Sequence, residues 1–164
     1  MAVEVGVGSS ILLGRLLSYL GCDYIGYELS VVSIAMIQDA IEVNGAKQRS
    51  SIEGSVNYIL GDFSLGSSDS DHITDSSVRF VFNAADITNG RQYEENLLNE
   101  MIRVVQNGGE IILKRDVSKN LDNEKRVIES VLSSDVWGDS VGLIEIKTFV
   151  IDNTVYTRYR VVKE

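Results

Sequence analysis

A chain of 164 residues, 44% hydrophobic and 24% charged, holds enough apolar side chains for one core and too little length for a second, so a single domain over 1–164 is predicted. No apolar run approaches the ~18 residues of a membrane span and no basic, apolar leader opens the chain, which predicts a soluble, cytoplasmic protein with no membrane partner. A net charge of −9 without a basic cluster makes nucleic acid a disfavoured partner, and the lone Cys22 excludes an intrachain disulfide and a thiolate-rich zinc site.

The β-branched run AVEVGV, residues 2–7, predicts a strand ending in a glycine turn. Leucines at helical spacing over 9–21 then predict a helix that stops at Gly21. A second strand is read over 24–29 (YIGYEL), and a second helix over 30–45, with Ser30 as its N-cap and Gly45 as its stop. A polar linker over 46–55 leads to a third strand, 56–63, that ends at Gly61 and Asp62. The Ser/Asp-rich stretch 64–77 reads as a loop with room for one short helical turn, and it carries the single histidine, His72, as a solvated residue. Strand four is VRFVFNAA, 78–85, and a helix over 92–109 ends at Gly108 and Gly109 before strand five, EIILKR, 110–115. A last helix, 120–134, precedes strands at 143–151 and 155–163, joined through Asp152 and Asn153 in a connection tight enough for an antiparallel hairpin. Alternating α and β units closed by a hairpin predict an α/β fold: a doubly wound, mostly parallel seven-stranded sheet with helices on both faces and an antiparallel C-terminal hairpin strand.

In an open parallel sheet, ligands bind beyond the carboxyl ends of the strands, next to the point where strand order reverses. The stretch VEVGVGSS, 3–10, lies at such an end. Gly6 and Gly8 let the backbone bend and approach a ligand, and the helix opening at Ser9 and Ser10 offers N–H groups. Taken alone, the G-x-G is either a ligand-free bend or a binding turn. Ile11 stands where a dinucleotide fingerprint has its third glycine, and no Lys-Ser/Thr follows as a P-loop needs, so pyrophosphate is demoted. Three carboxylates narrow the choice, because Glu4 lies in strand one, Glu28 ends strand two and Asp62 ends strand three. Glu28 suits the vicinal hydroxyls of a ribose, and Asp62 suits an exocyclic amine such as adenine N6. Together with the glycine turn they predict a nucleoside site.

With those residues in place, the sequence resembles the class I, Rossmann-like S-adenosylmethionine-dependent methyltransferases over nearly its whole length. VEVGVGSS is similar to the family's first motif, YIGYELS to the second and LGDF to the third. FVFNAAD takes the place of the fourth, VVQNGGEIIL resembles the helix, glycine turn and fifth strand, and EIKTFVIDNTVYTRYRVV fits strands six and seven. The resemblance implies S-adenosylmethionine as cofactor and S-adenosylhomocysteine as its product. Glu4, Gly6 and Gly8 would line the methionine part, Glu28 would bind the ribose, and Asp62 and Phe63 would flank the adenine, with the region around Asn83 closing over the cofactor and Val7, Ser10 and Leu29 as further cofactor-binding residues. Asn83 and Asp86 are the candidates on the acceptor side, Asp86 having a capping role as its alternative.

The departures are equally informative. In metal-dependent catechol-type relatives an Asp ends strand four and an Asp-Asn pair follows strand five, whereas the aligned positions here are Ala84, Arg115 and Asp116. Most of the hard oxygen ligands are missing, so no metal is expected. The Asn/Asp-Pro-Pro-aromatic signature of amino-methylating nucleic-acid enzymes is absent, which leaves the acceptor unassigned, with a small molecule or protein favoured. Tyr93 and Arg91 read as surface residues, with a pocket-shaping role as the alternative; Trp137 reads as core or interface. The chain starts at strand one, which suggests an open site covered by a second copy or a partner subunit. Two other readings compete: a methyltransferase-like domain without activity that works through a partner, and a nicotinamide-dependent enzyme, which Ile11 disfavours.

Overall fold

Alternation along β1 (Ala2–Val5) sends Val3 and Val5 to one side and Ala2 and Glu4 to the other, and all four are buried, as in a central strand covered on both faces. The computed structural model describes residues 1–45, 54–68, 73–84, 91–116 and 121–164. Its remaining strands are β2 (Tyr24–Glu28), β3 (Val56–Leu60), β4 (Val78–Asn83), β5 (Val105–Asp116), β6 (Val141–Ile151) and β7 (Thr154–Lys163). The helices are α1 (Leu12–Tyr19), α2 (Val31–Gly45), α3 (Arg91–Val104) and α4 (Leu121–Leu132). The seven strands form one sheet in the order β3-β2-β1-β4-β5-β7-β6. Neighbours among β1 to β5 pair in parallel, and β7 runs antiparallel to both β5 and β6. The predicted α/β architecture with its C-terminal hairpin strand is the one observed.

Two cores hold the layers together. The larger lies on the face of Val3, Val5, Val81 and Ile111, which meet Leu97, Met101 and Ile102 of α3 and Val127 and Val131 of α4. The smaller, on the opposite face, joins Val7 and Ile11 to Ile34 and Ile37 of α2. Here α1 rides close to the sheet because residue 14 is glycine: a Cβ there would lie 2.7 Å from both Tyr24 Cε1 and Tyr58 Oη. Among the described residues, no helix is long and apolar enough to cross a membrane.

Element edges differ from expectation most at the start of α1 and at the α3–β5 junction. Helix α1 begins at Leu12 rather than Ser9, because Gly8 has φ +64° and the chain needs Ser9 and Ser10 to leave that left-handed turn. Helix α3 ends at Val104 and β5 starts at once, since Val105 is fully buried and pairs with Val78. The polar 106–109 segment, with Gly108 at φ +77°, then bulges from the strand before Glu110 pairs with Phe80. The short helical turn expected after β3 is a 3-10 helix over Phe63–Ser68. At the hairpin, Asp152 (φ 47°) and Asn153 (φ 61°) both take left-handed conformations, as a type I′ turn requires.

Candidate functional site

The strand order reverses between β1 and β4, and the glycine turn leaves β1 at that point. The Gly6 N–H donates to Tyr27 O at 2.8 Å and carries the turn toward β2, while Ala84 N–H donates to Val5 O at 2.8 Å on the other side. Gly6 has φ +77° and Gly8 φ +64°, which an L side chain rarely adopts. A Cβ at Gly8 would meet nothing within 4 Å, so the turn faces open space.

That space is a cleft of about 250 Å³. Its walls are the glycine turn (Gly6, Gly8), the end of β2 (Glu28, Leu29), Gly61 and Phe63 after β3, and Tyr93 from the first turn of α3, together with Val5 and Tyr27. The Glu28 carboxylate ties two of these walls: Gly8 N–H donates to Oε2 at 2.7 Å and Ser30 N–H to Oε1 at 2.9 Å. A carboxylate has about four lone-pair sites, so acceptor capacity remains for a ligand's hydroxyls. Phe63 is buried and meets Tyr27 edge to face, with ring centroids 5.1 Å apart.

Asp62 stands beside the cleft, where Ser64 N–H and Oγ–H donate to its Oδ1 at 2.9 and 2.7 Å. Tyr93 reaches the same group, its hydroxyl engaging Asp62 and Ser64. Burial first, and then the Asp62 charge, push the Tyr93 hydroxyl above its ordinary pKa. Sequence reading gives Tyr93 a surface role with pocket shaping as the alternative, and leaves out Gly61 and Tyr27; the structure puts all three in the cleft wall, in line with the alternative for Tyr93. Alternation with Glu28 at the strand end is the available signal for Tyr27, and the position of Tyr93 just beyond strand four is the one for its pocket-shaping role.

Glu4 and Val7 point away from the cleft. Val7 is buried in the small core under α2. Glu4, 7% exposed, accepts a hydrogen bond from Tyr24 Oη at 2.5 Å on the α1 face. Ser10 is exposed and its Oγ accepts only a long bond, 3.4 Å, from Leu12 N–H. Asn83 is fully buried at the end of β4, in register with Val5, and is not part of the cleft wall. Asp86 and His72 lie outside the described residues.

Burial holds the Glu4 carboxyl above its ordinary value of 4.5, outweighing the opposing effect of the Tyr24 hydrogen bond. Burial, and then the Glu4 charge, push Tyr58 up to about 12. As pH rises through the ordinary carboxylate range, the unfolded chain releases the Glu4 proton before the native state does, so native stability falls until Glu4 has ionised in both. Glu4→Gln keeps an acceptor for Tyr24 and removes the titration. Urea unfolding at about pH 5 and about pH 8 should show the variant gaining on the wild type at the higher pH; parallel behaviour would exclude a buried, titrating Glu4.

Two cations precede Asp116 at the end of β5, and both are engaged. Lys114 Nζ donates to Ala84 O at 3.1 Å, and Arg115 Nε lies 3.1 Å from Glu124 Oε2. Among the described residues no group of three or more His, Cys, Asp or Glu side chains is placed to hold a metal ion.

No protein-family model and no curated protein sequence matches this chain. Solved structures do. A TehB-like SAM-dependent methyltransferase from Corynebacterium glutamicum aligns over 99% of this chain and 79% of its own, at 16% identity and a TM-score of 0.65. The magnesium protoporphyrin IX methyltransferase of Synechocystis, solved with bound SAM, aligns over 100% of this chain and 70% of its own, at 9% identity and a TM-score of 0.66. An rRNA methylase from Streptococcus thermophilus aligns over 99% and 85%, at 13% identity and a TM-score of 0.60. Strand order, the antiparallel β7 and these alignments agree: the chain has the fold of the class I S-adenosylmethionine-dependent methyltransferases.

Proposed function

We propose that the cleft at the ends of β1 to β3 binds S-adenosylmethionine and that the chain transfers its methyl group, without a metal, to a small-molecule or protein acceptor in the cytoplasm. The observation that carries this reading is the Glu28 carboxylate, held at the cleft by the Gly8 and Ser30 N–H groups with acceptor capacity left for a ribose. The residues fit such a cofactor: the bare backbone at Gly8 leaves room for a chain-like ligand, and Gly61 and Phe63 line the cleft after β3, where a base would lie. When bound, the sulfonium supplies an electrophilic methyl carbon. The protein's part is to orient: Glu28 fixes the ribose end, the glycine turn sets the direction of the methionine chain, and β4 forms the side from which an acceptor approaches. Asn83, in register with Val5, is the described candidate at that side. Ala84 and Arg115 stand at two of the three positions where a divalent ion would need oxygen ligands, which supports metal independence. The net charge of −9 supports an acceptor other than nucleic acid.

A second reading is a cofactor-binding domain that works through a partner or a second copy. It is favoured by the stripe of exposed Leu12, Leu16, Tyr19 and Leu20 along and just beyond α1, 56–76% exposed. Isothermal titration with S-adenosylhomocysteine, with NADH as comparison, tests the cofactor. Micromolar binding of the first alone supports the reading; binding of NADH alone, or of neither, overturns it. Release of S-adenosylhomocysteine in the presence of acceptors then separates enzyme from binding domain.

A further inference from the structure

We propose that the outer side of α1 and the first half of α2 form a dimer interface, on which a second copy of this chain packs about a twofold axis at Leu16. Such a dimer supplies the second copy of the second reading above, and its formation does not depend on a bound cofactor.

Both helices pack over β2 and β3, and a shared small core of Ile11, Ile34 and Ile37 joins them. Gly14 and Ser18 are buried and mark the side of α1 that faces the sheet. At about 100° per residue, Leu12, Leu16 and Leu20 fall on the opposite side, with Tyr19 beside them, and all four are exposed. A helix that only covered a sheet would carry polar residues there. α2 shows the same excess, because Ile34 and Ile37 are buried while Val31, Val32, Ala35 and Met36 are exposed. The α1 stripe with Val31, Val32 and Met36, 53–76% exposed, leaves roughly 800 Å² open, the share that each partner gives to a standard interface.

Charge selects the partner. Residues 5–22 hold one charged side chain, the half-buried Arg15, and residues 29–38 hold none, on a chain with 24 acidic residues. A partner recognised through its charge has nothing to pair with here, and an anionic lipid surface needs lysines and arginines that the stripe lacks. A second copy needs neither. The acidic residues behind the net charge of −9 lie outside these two segments, so two such faces meet without like charges, and homodimer interfaces are the more apolar class. The stripe is also self-complementary. Leu12 and Leu20 stand four residues to either side of Leu16, so a twofold axis at Leu16 sets Leu12 of one copy against Leu20 of the other.

Sedimentation velocity of the intact chain, from about 1 to 100 µM at low and high salt, tests the interface. A species of twice the 18.1 kDa chain mass is expected, with a micromolar Kd. It should strengthen at high salt, which screens the mutual repulsion of two acidic chains and leaves apolar contact intact. Leu16→Glu, which sets two carboxylates together at the axis, should weaken the dimer at least about 30-fold, and Val32→Glu on the neighbouring helix about 10-fold. Val136→Glu, at an exposed apolar residue beyond α4, is the control and should leave the dimer intact. Circular dichroism and melting confirm that each variant is folded. A wild type that stays monomeric throughout overturns the proposal, and so does a dimer that survives both Leu16→Glu and Val32→Glu. A ladder of larger species overturns it as well, because a twofold contact closes at two copies. A monomer that instead sediments with phosphatidylcholine vesicles assigns the stripe to a lipid surface and excludes the dimer. Binding of S-adenosylhomocysteine by a monomeric wild type would leave the cofactor reading standing while this one falls.

Discussion

Glu28→Ala is expected to weaken S-adenosylhomocysteine binding by about 2–3 kcal/mol, roughly 30- to 150-fold, while the chain stays folded. Two losses combine. The first is the direct one: hydrogen bonds from ribose hydroxyls to a charged acceptor. The second is the turn itself, because Glu28 Oε2 holds Gly8 N–H at 2.7 Å and Oε1 holds Ser30 N–H at 2.9 Å. Without the carboxylate, the glycine turn and the start of α2 lose their shared anchor, and binding must then order a looser loop. Glu28→Gln separates the two contributions. Its amide nitrogen must face one of the two backbone N–H donors, so one tie is lost while the side chain keeps its shape, and the loss should be about half that of alanine. Calorimetry on both variants checks this, with backbone amide exchange at Gly8 and Ser30 as the readout of the turn. Unchanged affinity in a folded Glu28→Ala protein would remove the ribose assignment altogether.

The residues that were readable from sequence are those whose role is set locally. Glu28 ends a run of strand-forming residues and precedes a capping serine, so its place at a strand's carboxyl end follows from its neighbours alone. The hairpin is likewise local, since Asp152 and Asn153 tolerate left-handed backbone better than most residues and the flanking strands alternate. Sidedness is harder. Period-two alternation says that Glu4 and Val5 face opposite ways, but which side becomes the cleft depends on the direction the chain takes at Gly6. It turns toward β2, leaving Val5 in the cleft wall and burying Glu4 under α1 against Tyr24. Tyr93 could be read only as an alternative, for a different reason. Its helix starts after β4, and only the tertiary crossing brings α3 against the 3-10 helix that carries Phe63 and Ser64. No spacing within 91–104 encodes that contact.

The largest stability change is expected away from the cleft, at Glu124. This residue of α4 pins two strands: Arg115 of β5 lies 3.1 Å from Oε2, and Tyr159 Oη of β7 donates to Oε1 at 2.5 Å. Arg115 and Glu124 are 15% and 10% exposed, so solvent screens the pair poorly. Burial and the Glu124 carboxylate both raise the Tyr159 hydroxyl's pKa, which keeps it protonated as a donor. Glu124→Ala strands a buried guanidinium and a buried phenol together, and should cost about 3 kcal/mol. For a chain of this size that is a fall in Tm of about 6–12 °C. Tyr159→Phe removes only the neutral donor and should cost about 1 kcal/mol. Charge pairing dominates if Glu124→Gln, which still accepts from Tyr159 but leaves Arg115 uncompensated, falls nearer to alanine than to wild type. Urea unfolding of the three variants decides the order, and a Glu124→Ala protein within about 1 kcal/mol of wild type would mean that Arg115 finds water instead. Because α4 takes no part in the cleft wall, S-adenosylhomocysteine affinity of the folded variants should not change. A stability loss at Glu124 without a binding loss, set against a binding loss at Glu28 without unfolding, would show that the sheet's β5–β7 half supports the fold while its β1–β3 half holds the ligand.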